Sequence, residues 1–253
     1  MWQEDLTGAV AQALGRRDAL LVRAPAHEDA DWAAMLWSQH DPGALSNVPG
    51  VERARPEGDR VFLTLSVRAR GEVVSNILTG ASPAPEQVEI VARRAGTAGK
   101  KLPDRPLPDR LYASRLGYAR TAMLLRQGRG HRVLPAEAEP SDFLGRLWSD
   151  RGHTRTEDHR SRRLLLALAG SHLARTRARS QNRGAPVVAS LRDVTAAFTD
   201  WFTHMRATPR GTHPGDEHPM MDIYRLNLAL AHATGLVLRT GLRHLGLTAP
   251  EYL

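Results

Sequence analysis

The stretch Asp222-Ile223-Tyr224-Arg225-Leu226-Asn227-Leu228-Ala229-Leu230-Ala231-His232-Ala233, continued by Val237-Leu238-Arg239-Thr240-Gly241-Leu242, sets the class of fold. Leu226, Leu230, Ala233, Val237 and Leu238 recur at the spacing of one helix face, which predicts a helix over 222–245 with that face in a core. Upstream the same period returns three times. Residues 112–127 place Leu116, Ala119, Met123 and Leu124 on one face, with Gly128 as the expected stop. Residues 159–179 carry Leu164, Leu165, Leu168, His172 and Leu173 as a stripe, and 191–205 turn Val194, Phe198, Trp201 and Phe202 inward. Four or five amphipathic helices on short loops predict a helical bundle over 111–253.

The first 95 residues read differently. A helix is expected at 6–14, a strand at 19–23 and a short helix at 32–37. Two strands, 51–54 and 61–67, meet at the turn formers Pro56-Glu57-Gly58-Asp59. A helix over 72–78 ends at Gly80. These elements predict a small α/β domain over 1–95, making the whole chain α+β. Gly96 to Pro108 collects two glycines, three prolines and both lysines of the chain, so 96–110 is read as a linker.

Charge divides the chain at the same place. Lys and Arg number 35 against 27 acids, a net +8 with a sequence pI near 10.8. Residues 1–110 hold 14 basic and 15 acidic side chains, whereas 111–253 hold 21 and 12. Residues 151–183 alone carry nine arginines against Glu157 and Asp158. An asymmetry of this kind points to an acidic partner such as nucleic acid. Arg155, Arg160, Arg162, Arg163, Arg175, Arg177, Arg179 and Arg183 are therefore candidate phosphate contacts, since guanidinium groups fork onto phosphate oxygens and displace counterions. The competing reading is a solvated helix face with arginines set by codon bias.

Other chemistries find little support in the residues. The absence of cysteine excludes disulfides, thiolate metal sites and a thiol nucleophile. No Gly-x-Ser-x-Gly, dinucleotide fingerprint or His-Glu-x-x-His is present, and Gly96-Thr97-Ala98-Gly99-Lys100-Lys101 is too short for a phosphate loop. His213-Pro214-Gly215-Asp216-Glu217-His218 matches no established metal spacing, and Glu157 and Asp158 suit the start of a helix. No catalytic residue, metal site or cofactor is expected. The acidic start Met1-Trp2-Gln3-Glu4-Asp5 is unlike a signal peptide, and the apolar run 164–170 is too short to span a bilayer, so a cytoplasmic protein with no membrane partner is expected.

The last helix and the residues after it carry a family resemblance. Arg225-Leu226-Asn227-Leu228-Ala229-Leu230-Ala231, Val237-Leu238-Arg239-Thr240-Gly241-Leu242-Arg243-His244-Leu245-Gly246-Leu247 and Ala249-Pro250-Glu251-Tyr252-Leu253 resemble the end of arginyl-tRNA synthetases, which runs R-L-x-L-x-x-A, V-L-x-x-G-L-x-L-L-G-I and A-P-E-R-M. Tyr118-Ala119-Arg120-Thr121-Ala122-Met123-Leu124-Leu125-Arg126 is similar to the opening helix of that family's anticodon-binding domain. Residues 191–202 resemble its D-L-A-x-x-F-x-x-F-Y helix. Over about 112–253 the resemblance implies the all-helical DALR domain, which binds the tRNA anticodon stem-loop. It places Arg120, Trp201, Arg206, Arg210 and Tyr252 near the anticodon loop. Residues 59–66 resemble, in outline, part of the family's N-terminal additional domain, with Phe62 where the family reads a nucleotide with Asn.

No H-I-G-H-like or K-M-S-K-S-like sequence stands between the two regions. The chain therefore resembles the synthetase-related anticodon-binding proteins of actinobacteria, which lack the catalytic domain. The leading expectation is a non-catalytic tRNA-binding protein. A protein-interaction module derived from a synthetase is the alternative, and an enzyme acting on a tRNA-linked substrate comes third.

Overall fold

The computed structural model describes residues 3–14, 21–23, 30–35, 42–80, 109–133, 155–208 and 221–252. These fall into two compact units, one up to Val73 and one from Val74 onward.

The first unit is built on a four-stranded antiparallel sheet. Helix α1 (Gln3–Ala13) precedes strands β1 (Leu21–Arg23) and β2 (Trp32–Met35), and a 3-10 helix (Pro42–Asn47) precedes β3 (Val51–Glu57) and β4 (Arg60–Leu65). The strand order is β1-β2-β4-β3. In β4, Val61 to Leu65 are all buried, as a central strand covered on both faces requires. Edge strand β3 is largely exposed, and its charges and Pro56 discourage pairing with another chain. The β3–β4 loop is two residues, with Gly58 at φ +60°, a conformation glycine adopts without a Cβ penalty.

Two expectations from the sequence do not hold in this unit. Residues 32–35 form a strand, not the start of a helix. Alanine favours helices, but Trp32, Ala33 and Ala34 are buried and the strand is paired on both sides, by β1 and by β4. Tertiary pairing overrides propensity. The sheet is also antiparallel throughout, so this unit is α+β rather than α/β in the strict sense.

Helix α2 (Val67–Leu78) starts where Ser66 Oγ accepts the Ala69 N–H at 3.2 Å, an N-cap. Its first turn is tied to the sheet by Asp31. That carboxylate is fully buried, accepts the Leu65 N–H at 2.6 Å and meets Arg70 Nη2 at 3.3 Å. A buried charge with both a donor and a counter-ion is the arrangement that desolvation tolerates.

The second unit is a bundle of four described helices: α3 (Asp109–Gly130), α4 (Arg155–Gln181), α5 (Ala185–His204) and α6 (Met221–His244). Helix α4 packs on α5, and α3 on α6. The expected apolar face of α6 is all interior: Leu226, Leu230, Ala233, Val237 and Leu238 are buried. Trp201 and Phe198 stack at 5.8 Å between centroids in the core of α5. Ser114 Oγ and Thr195 Oγ1 bond across α3 and α5 at 2.9 Å.

Helix α3 does not stop at Gly128. That glycine lets α6 approach, because a Cβ there would stand 2.6 Å from Leu228 Cδ1. The helix ends instead with Arg132 at φ +57° and the Val133 N–H donating to the Gly128 carbonyl at 2.8 Å. The same paired closure ends α4 at Asn182 and α6 at Gly246. Asp109 and Arg110, assigned to the linker by sequence, open α3. Residues 96–108 of that linker lie outside the described residues, as does the 213–218 loop. Among the described residues no group of three acidic or histidine side chains could hold a metal ion, and no helix is long and apolar enough to cross a membrane.

Candidate nucleic-acid interface

Helix α4 carries most of the arginines that the sequence singled out, and its two ends use them differently. Near its start, Asp200 of α5 receives Arg160 Nε at 3.4 Å and Arg163 Nη1 at 3.9 Å. His204 Nδ1 lies 3.5 Å from the same carboxylate. Arg162 is turned into the bundle, only 8% exposed. It falls in register with Leu165 and Ala169, three and seven residues on, so it shares their inward face. This corrects the reading of Arg162 as a phosphate contact: burial removes it from solvent. Arg160 and Arg163 are committed at least in part to α5. Arg155 opens the helix.

The far end is open. Arg177, Arg179 and Arg183 are exposed, and none has a carboxylate partner among the described residues; Arg175 is half-buried beside them. From 159 to 192 the sequence has no Asp or Glu at all. The αL turn at Asn182 reverses the chain, with the Arg183 N–H donating to the Ala178 carbonyl at 3.0 Å. That turn keeps Arg183 beside the last turn of α4 rather than carrying it away. The guanidinium groups of Arg177, Arg179 and Arg183, without carboxylate partners among the described residues, attract phosphate.

His244, at the end of α6, faces the same cluster. It is 6% exposed, and its Nε2 has no hydrogen-bond partner among the described residues. Burial first, then Arg179 and Arg175, lower its pKa below the ordinary 6.5. The unfolded chain therefore takes up a proton that the folded chain refuses, so stability falls as pH drops below about 6.5. Denaturant midpoints at pH 7.5 and 5.5 should separate more in the native chain than in His244→Leu. Equal separations would remove His244 from the account of acid sensitivity.

The residues placed near an anticodon loop by resemblance are dispersed in role. Trp201 is 0% exposed, as its inward spacing predicts, and this corrects its placement by resemblance as a contact of the anticodon loop: its ring fills the core against Phe198. Arg120 lies over the Phe202 ring at 5.2 Å. Arg206 is exposed, and its carbonyl accepts Asn227 Nδ2 at 2.6 Å, which fixes the chain leaving α5 against α6. Arg210 lies outside the described residues. Tyr252 is 74% exposed and sits under the Arg126 guanidinium at 4.3 Å, while Glu251 reaches Arg126 Nη1 at 3.9 Å. Arg126, Arg129, Arg239 and His244 were not singled out as site residues from the sequence. The Arg126–Arg129 spacing of three residues on one helix face was the available signal.

No family model matches the chain. An arginine–tRNA ligase of Paenarthrobacter aurescens (strain TC1) is 35% identical over 95 residues, covering 37% of this chain and 16% of the ligase. The solved arginyl-tRNA synthetase of Thermus thermophilus aligns with 100% of this chain and 60% of its own, at 15% identity and a TM-score of 0.40. The 95-residue match relates this chain by sequence to an arginine–tRNA ligase over 37% of its length, and the chain spans a small part of that relative.

Proposed function

We propose that this chain is a non-catalytic tRNA-binding protein of the cytoplasm. Its helical bundle is read as a DALR-type anticodon-binding domain. Arg175, Arg177, Arg179 and Arg183 hold backbone phosphates of the anticodon stem, and Tyr252 lies toward the loop. The observation that carries this reading is the open arginine end of α4, free of acidic residues, in a chain related to a tRNA ligase. Phosphate contacts supply affinity and position, and unstacked loop bases supply whatever selectivity there is.

Two measurements on the purified chain test it together. Retention on immobilised total tRNA should weaken with salt, log affinity falling against log salt at a slope of roughly −3 to −4 for about four phosphate contacts. Arginine-dependent exchange of pyrophosphate into ATP should be absent, because adenylation needs groups positioned around the ATP phosphates. Measurable exchange, or binding that is insensitive to salt, would overturn the proposal.

A further inference from the structure

A cleft of about 250 Å³ opens where α3 meets α6, and no α4 residue lines it. Its walls differ in chemistry. Tyr118, Leu125, His232 and Leu236 supply apolar and ring surface, and Arg126, Arg129 and Arg239 supply charge. The cleft forms where small residues bring the helices close: a Cβ at Gly235 would stand 2.6 Å from Thr121 Oγ1. Neither Arg129 nor Arg239 makes an ion pair with another described residue. The Arg126 guanidinium lies over the Tyr252 ring, 4.3 Å from its centroid. The same side chain has an anionic neighbour, since the Glu251 carboxylate lines the cleft and lies 3.9 Å from Arg126 Nη1.

We propose that this cleft binds a single nucleoside monophosphate unit, and that Glu251 stands in for its phosphate when the site is empty. Three arginines and one carboxylate line the cleft, an excess of positive charge that suits a dianion. The ring-lined wall takes a flat base, and the volume, just below the roughly 300–1,000 Å³ usual for ligand pockets, suits one unit rather than several. Glu251 is well exposed, and an exposed ion pair of this kind is weak, so a phosphate bound by three guanidinium groups displaces it. The site does not depend on the α4 surface. It takes either a free mononucleotide or one nucleotide of a bound RNA.

Calorimetric titration of the full chain with AMP, CMP, adenosine and inorganic phosphate tests the assignment. Both monophosphates should bind at least about tenfold more tightly than adenosine or phosphate alone, since each lacks half of what the cleft recognises. Arg129→Gln with Arg239→Gln should weaken AMP binding by at least about tenfold, and Glu251→Gln should tighten it by about two- to fivefold. Denaturation curves check that each variant folds, and Arg129→Gln alone serves if the double variant does not. Saturating AMP that lowers tRNA affinity identifies an RNA nucleotide as the natural occupant; unchanged tRNA affinity identifies a free mononucleotide. A variant with Arg175, Arg177, Arg179 and Arg183 all changed to Gln should keep AMP binding while losing tRNA, so the two proposals fail separately. Phosphate binding as tightly as AMP, AMP binding unaffected by the arginine changes, or no AMP binding at all would overturn the assignment.

Discussion

The combined variant Arg175→Gln, Arg177→Gln, Arg179→Gln, Arg183→Gln is expected to lose most of its affinity for tRNA at low salt while remaining folded. Each phosphate contact contributes to the salt dependence, so four lost contacts should flatten the slope by about 3, worth roughly 60-fold in affinity between 50 and 200 mM salt. Every tRNA should be affected alike, because phosphate contacts carry no sequence information. Glutamine is nearly as good a helix former as arginine, and three of the four side chains are exposed, so α4 should persist. The pair Arg160→Gln, Arg162→Gln makes the contrast. Those side chains are turned toward α5 and the bundle interior, so their loss should lower stability and leave the salt slope nearly intact. A fourfold variant with unchanged tRNA affinity would return the open end of α4 to a solvated face without a ligand.

Trp201→Ala should destabilise the bundle by about 3–5 kcal/mol, the range for emptying a large buried aromatic site. The ring is wholly buried and stacked on Phe198, and helix backbones on either side cannot close the volume it leaves. Tyr252→Ala, on an exposed ring, should change stability by less than about 0.5 kcal/mol. Urea denaturation of the two variants beside the native chain separates a core residue from a surface one. A Trp201→Ala midpoint close to the native value would contradict its placement in the core.

The helices of the second unit are legible in the sequence because each must hide a stripe, and the stripe has a period. In α6 the five residues picked by spacing are all interior. Termini are less legible, since glycine has two uses. Gly128 reads as a stop, yet it serves as a contact point for Leu228, and Arg132 takes the left-handed turn instead. Strand β2 reads as helix because four residues with two alanines carry almost no periodic signal, and β4, one of its pairing partners, is distant in sequence.

The candidate interface is legible in charge and not in orientation. Arg162 and Arg163 are adjacent and chemically identical, but one is 8% exposed and the other's side chain 52%. Composition cannot tell them apart, although the helical phase of Arg162 with Leu165 and Ala169 does. The cleft between α3 and α6 is illegible for a different reason. Arg126 and Arg239 are 113 positions apart, and only the packing of two helices sets them around one space.

Competition binding with labelled tRNA distinguishes a tRNA-binding protein from a general binder of polyanions. At about 100 mM salt, unlabelled total tRNA should displace the label at a concentration at least about tenfold below that of an unstructured RNA of equal length, because a folded stem and a presented loop offer shape that a random coil does not. Equal displacement by the two RNAs, or no measurable binding of tRNA at that salt, would contradict the reading of this chain as a tRNA-binding protein.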